Sequence, residues 1–170
     1  MHFLTCAELS PESSESSSPV ALYARAQLAM LLFAKRLARV LSFSSTSSAS
    51  TTTNPILTLA ADSGPIHPSR PHQFRKAYGP VLGTAAAAVL APFERAPAEA
   101  CLSVLWAATA PEVEADWAWW QGAYVSAPGV RGAESAMAED EERGELLWAM
   151  SEGLVRQLLG SEALHPWTAV

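Results

Sequence analysis

The chain has 170 residues, 49% of them hydrophobic, so it is one domain in size, long enough to bury a core and too apolar for a disordered segment. Its net charge of −6 is unevenly placed: residues 1–92 hold four acids and seven bases, residues 93–170 thirteen acids and four bases. Seven bases scattered over separate segments make no patch for nucleic acid, and two cysteines, Cys6 and Cys101, imply neither a disulfide framework nor a metal site.

Residues 1–18 end in a serine-rich run and read as a flexible lead-in; they lack the basic and apolar blocks of a secretory signal. A long apolar helix is predicted from about Val20 to Leu41. Arg25, Lys35, Arg36 and Arg39 interrupt it and argue against a membrane span. Together these features predict a soluble, reducing, cytoplasmic setting. One face of the helix carries Leu28, Leu31, Leu32 and Leu41, and another Met30, Phe33, Leu37 and Val40. Two apolar faces predict cover on both sides, as in a helix shared with a second subunit of a homo-oligomer.

Residues 42–53 are nearly all serine and threonine and read as a low-complexity loop. The apolar run Pro55–Ala61 reads as a buried parallel strand stopped by Asp62-Ser-Gly-Pro. Residues 65–80, with four prolines, two histidines and three bases, are expected to be loop with at most a short helix. Further helices are predicted over Val81–Leu90 and Ala98–Ala108, the latter with Leu102, Leu105, Trp106 and Thr109 at helical spacing. Gly122–Gly129 reads as a strand, and Trp117, Trp119 and Trp120 at its entrance as core or interface. A last helix is expected over Glu139–Leu159, with acids at its positive end, Leu147, Met150, Leu154 and Leu158 as its buried stripe, and Gly160 closing it. Residues 161–170 form a tail.

The chemical candidates are few. Tyr23 opens the long helix and Gln27 follows one turn later, so both lie on one face, an arrangement that sets a phenol beside a helper group for proton transfer. Asp62 is expected as a solvated loop acid or a partner of Arg70 or Arg75. His67 and His72 lack the partners that a metal site needs.

Taken as a series, Tyr23-Ala-Arg-Ala-Gln27 at the head of an oily helix, the strand Ile56–Ala61 running into Ser63-Gly64-Pro65-Ile66, the helix Glu99–Glu112 and the strand Gln121–Ser126 resemble the C-terminal half of a short-chain dehydrogenase/reductase. The wording is nearest to retinol-dehydrogenase-like members of fungal type. The resemblance covers residues 19–160 and implies an α/β fold: a truncated, Rossmann-like, doubly wound domain, mostly helical, with two short parallel strands. It also implies an oxidoreductase acting on a small-molecule carbonyl or alcohol with NADP or NAD. Tyr23 would be the catalytic proton donor, and Tyr23, Gln27, Gly64 and Ile66 would contact the cofactor. The family's pattern is Tyr-x-x-x-Lys, in which the lysine tunes the phenol and grips the nicotinamide ribose. Gln27 keeps only the capacity to hydrogen-bond a ribose hydroxyl. No glycine-rich turn after a strand precedes Tyr23, so the chain is expected to be incompetent alone. A non-catalytic interaction protein, associating through helix 20–41, is the alternative.

Overall fold

The computed structural model describes residues 19–47, 56–64, 70–93, 95–160 and 162. The expected lead-in, the expected tail apart from residue 162, residues 48–53 of the expected loop, Ile66 and His67 lie outside them. The elements run α1 (Pro19–Ser47), β1 (Ala60–Ala61), α2 (Arg70–Tyr78), α3 (Pro80–Leu90), a 3₁₀ turn (Ala91–Phe93), α4 (Pro97–Thr109), α5 (Pro111–Ala115), α6 (Trp117–Trp120), β2 (Tyr124–Ala127), β3 (Val130–Arg131) and α7 (Glu141–Leu159). The protein is mostly helical, with a small sheet ordered β1-β2-β3. Strands β1 and β2 run parallel, as expected. The third strand was not foreseen: β2 turns over Pro128-Gly129 and returns antiparallel, pairing Val125 with Arg131 and Ala127 with Val130 around a bulge. An α/β description therefore holds at the coarse level.

Two compact units make up the chain, one of residues 1–60, 117–123 and 134–170, the other of residues 61–116 and 124–133. In the first, α1 packs on α7. Leu28 and Leu32 of α1 are buried with Leu147 of α7 and Ala138, and Ala29, Leu31 and Met150 close around them. Leu32 is 1% exposed, and burying such a side chain contributes about 1.5–3 kcal/mol. Charge reinforces the pairing. Arg39 Nη1 meets Glu141 Oε2 at 3.0 Å, and Arg36 Nε lies 2.9 Å from Glu145 Oε2 at an angle too poor for a hydrogen bond, leaving that pair Coulombic. Lys35 pairs with Glu134 and donates to the Ala138 carbonyl at 3.3 Å. Phe33 stacks on Trp148 at 5.0 Å, and the Arg36 guanidinium lies 5.9 Å from the same indole.

Helix α1 continues to Ser47, six residues past the expected stop at Leu41. Ser42 explains how serines are accommodated: its Oγ donates to the Ala38 carbonyl one turn back, at 2.8 Å, so the hydroxyl does not compete for the next turn. Helix α7 starts at Glu141 because Asp140 caps it, accepting from Arg143 N at 3.1 Å. Of its expected stripe only Leu147 is buried and Met150 half-buried; Leu154 and Leu158 are exposed, the latter 72%. The partner helix α1 covers only the first half of that face.

In the second unit α2 and α3 form a helical hairpin around Gly79, and α4 packs on β2. The buried face of α4 is its small side, Ala100 and Ser103. Leu102 and Leu105, expected inside, are half exposed or more. Small residues let the helix approach the sheet closely, and Val125 of β2 is wholly buried. The tryptophans, which belong to the first unit, sit on the helical turn α6 just before β2: Trp120 is buried, while Trp117 and Trp119 are exposed.

Candidate functional site

Tyr23 and Gln27 occupy the first turns of α1, one turn apart, on the side opposite Leu28 and Leu32. Both are exposed, Tyr23 by 63%. Met30 shares this outward side and is 68% exposed. Pro19 begins the helix, suiting a first turn whose N–H groups have no intrahelical acceptor. This face can present a phenol and an amide to a ligand or a second surface.

The turn after β1 is the second candidate. Asp62 N donates to the Val125 carbonyl at 2.8 Å, extending the parallel ladder by one bond. The Asp62 carboxylate then bends the chain: Oδ1 accepts from Gly64 N at 2.8 Å, an Asx turn, with Gly64 at φ 66° where other residues are strained. Tyr124 Oη donates to Asp62 Oδ2 at 3.0 Å. The sequence suggested a solvated acid or a pair with Arg70 or Arg75, and the Arg70 side chain lies outside the described residues; the carboxylate is half-buried, not fully solvated, and is bonded by a neighbouring strand's phenol and its own turn. A Cβ on Gly64 would stand 3.1 Å from Arg95 Cδ and 3.2 Å from its Nη1, so the arginine lies along the turn. Asp62 and Arg95 thus lie against the one described cofactor-side candidate of this turn, Gly64, and Tyr124 is bonded to Asp62. Tyr124 was readable only as a strand residue, and Arg95 carried no sequence signal. Tyr23 and Gln27 belong to the first unit and Gly64 to the second.

Gln121, read in the sequence only as the start of a strand, has a bridging role that sequence reasoning missed. Its Oε1 accepts from Thr58 N at 2.8 Å, and its Nε2 lies within hydrogen-bond reach of Ala38 O (3.1 Å), Ile56 O (3.2 Å) and Ser42 Oγ (3.3 Å). One amide therefore ties α1 to the segment entering β1, a positioning role. The signal was present: a polar residue stands between Trp120 and Ala123, both of them buried.

His72 is exposed, and among the described residues no three His, Cys, Asp or Glu side chains gather as metal ligands. The acid run opening α7 is used for structure, Asp140 as cap and Glu141 as the partner of Arg39. The Arg143 backbone N–H and then its guanidinium hold the Asp140 carboxyl below the usual aspartate range. No described helix is long and apolar enough to cross a membrane. No protein-family model, curated protein or solved structure matches the chain.

Proposed function

We propose that these residues are a portion of a short-chain dehydrogenase/reductase-like oxidoreductase, acting on a carbonyl or alcohol with NAD(P), and that the 170 residues do not turn over by themselves. Tyr23 delivers the proton to the carbonyl oxygen while hydride arrives from the nicotinamide. By the resemblance, Gln27 would serve the ribose, and Gly64 and Ile66 the nicotinamide side. The supporting observation is the parallel pairing of β1 with β2, with a tight, glycine-requiring turn at the carboxyl end of β1. In open α/β sheets that end is where ligands bind. No glycine-rich turn after a strand stands before Tyr23 in these residues to cradle a pyrophosphate.

Titrating NADP and NAD into the chain in a calorimeter is expected to give no saturable heat; saturable binding overturns the claimed incompetence. The lineage is tested separately, by joining the chain to the in-frame coding sequence upstream and assaying NADPH oxidation with aldehydes. Turnover that Tyr23→Phe abolishes and Gln27→Lys raises supports it. An extended protein that neither binds nucleotide nor turns over refutes it.

A second reading has its own observation. Val20 and Met30 of α1 are 55% and 68% exposed, so an apolar strip of the helix is left uncovered by the described residues. On this reading the helix associates with a partner subunit. Sedimentation velocity should then show a concentration-dependent dimer that Met30→Glu dissolves; a monomer at all concentrations removes the reading.

A further inference from the structure

Helix α3 is built inside out. Gly83 is buried against its neighbour α2 and Ala87, one turn on, is buried as well, while the opposite arc carries Val81, Leu82, Ala85, Ala88 and Val89, all exposed. Val81 is 81% exposed, and Leu82 and Val89 are 70% exposed. A surface helix ordinarily turns such residues inward and presents charge to water. This one has no charged residue at all. Charge is supplied next door. Between Asp62 and Glu94 the chain carries no acid, but it holds Arg70, Arg75 and Lys76 together with His67 and His72. Arg75, Lys76 and His72 are exposed on α2. Arg75 Nε donates to Thr84 Oγ1 at 3.2 Å, which holds a guanidinium beside the apolar arc.

An apolar helix that the described residues leave uncovered, itself free of acids and flanked by bases, matches a surface that is oily beneath and negative on top. We propose that the α2–α3 hairpin docks on an anionic lipid surface. Val81, Leu82 and Val89 enter the boundary between headgroups and acyl chains, while Arg75 and Lys76 lie at the phosphate level. The eleven-residue length of α3 suits a helix lying in the interface plane and is far too short to span. Because the chain is acidic as a whole, the attraction is local. It acts within roughly a Debye length, about 10 Å at 0.1 M salt.

The test is co-sedimentation of the full chain with phosphatidylcholine vesicles containing about one third phosphatidylserine, against phosphatidylcholine alone. Binding is expected only to the anionic vesicles, and it should weaken sharply between about 0.1 M and about 0.5 M salt. Arg75→Gln and Lys76→Gln should each weaken it about fivefold. Val81→Ser/Leu82→Ser/Val89→Ser should weaken it on the order of tenfold or more. The exposed positions make that triple variant neutral to folding, checked by circular dichroism. No binding to either vesicle, or equal binding to both, overturns the proposal. So does a triple variant that is folded and binds undiminished. If the chain instead forms a dimer without lipid, and the triple variant is monomeric, a second copy covers the face and the proposal fails.

Discussion

Gly83→Ala should destabilise the protein although alanine is the better helix former. In an open helix interior the exchange stabilises by about 1 kcal/mol, by removing backbone freedom from the unfolded chain. At Gly83 the added methyl would stand 2.6 Å from Arg75 Cα and closer still to the Phe74 carbonyl. Those are backbone atoms of α2, so no side chain can swing aside. The hairpin must open by roughly 1 Å, which forfeits a quarter to a half of the dispersion energy along that contact. Overpacking of this kind costs about 1–3 kcal/mol, the upper end applying where backbone is struck. Net of the propensity gain, a loss of about 2 kcal/mol is expected. Gly153, inside α7, has open space where a methyl would go, with nothing within 4 Å, and serves as the control: Gly153→Ala should stabilise by up to about 1 kcal/mol. Urea unfolding of both variants, read at equal m, gives the comparison. If Gly83→Ala stabilises as much as Gly153→Ala, the close approach of α2 and α3 is wrong, and the inside-out reading of α3 falls with it.

Gln121→Ala should cost about 1–3 kcal/mol, measured by thermal unfolding, because Thr58 N and the Ala38 and Ile56 carbonyls lose an amide reached from three sides. Glu134→Ala should cost more than Glu141→Ala. The Glu134 side chain is 9% exposed and paired with Lys35, whereas that of Glu141 is 77% exposed and its pair with Arg39 is worth at most about 1 kcal/mol; paired urea curves decide. Asp140 has a folded pKa held below its unfolded value, so the stability it contributes is present above about pH 4 and is lost as pH falls through the folded value. Asp140→Asn keeps the cap but not the charge, and should reduce the drop in melting temperature between about pH 5 and about pH 2. An unchanged drop would mean that this carboxylate does not contribute.

Helices α1, α3, α4 and α7 and the parallel strand pair were legible because they rest on local signals: apolar spacing, Pro97 at the first turn of α4, the acids at the head of α7, and the apolar run ended by Asp62-Ser-Gly64; the short helices α5 and α6 were not foreseen. What escaped was anything decided by who lies opposite. Leu102 and Leu105 have helical spacing, yet Ala100 and Ser103 face β2, since periodicity cannot tell a wide oily face from a narrow face that fits. Antiparallel β3 is two residues long, too short to carry a pattern of its own. Residues 42–47, mostly serine, read as loop by composition, but Ser42 back-bonds to Ala38 and the helix continues. The tyrosine-led face of α1 was legible as a pattern, but its outward position depends on α7 covering the other side. The Asp62–Tyr124 bond joins residues 62 apart in the chain and left no trace in either local sequence.

That α1 finds its cover on α7 sets a timing problem during synthesis. Leu28 and Leu32 meet Leu147, over a hundred residues downstream, and the unit they build is assembled from three separate stretches of chain. At about 5–20 residues per second, the oily helix leaves the ribosome on the order of ten seconds before its partner is made. Through that interval its leucines are open to whatever passes. A nascent chain of this design invites chaperone capture at its head, and slowing translation downstream of α1 should raise the aggregated fraction without altering the finished fold.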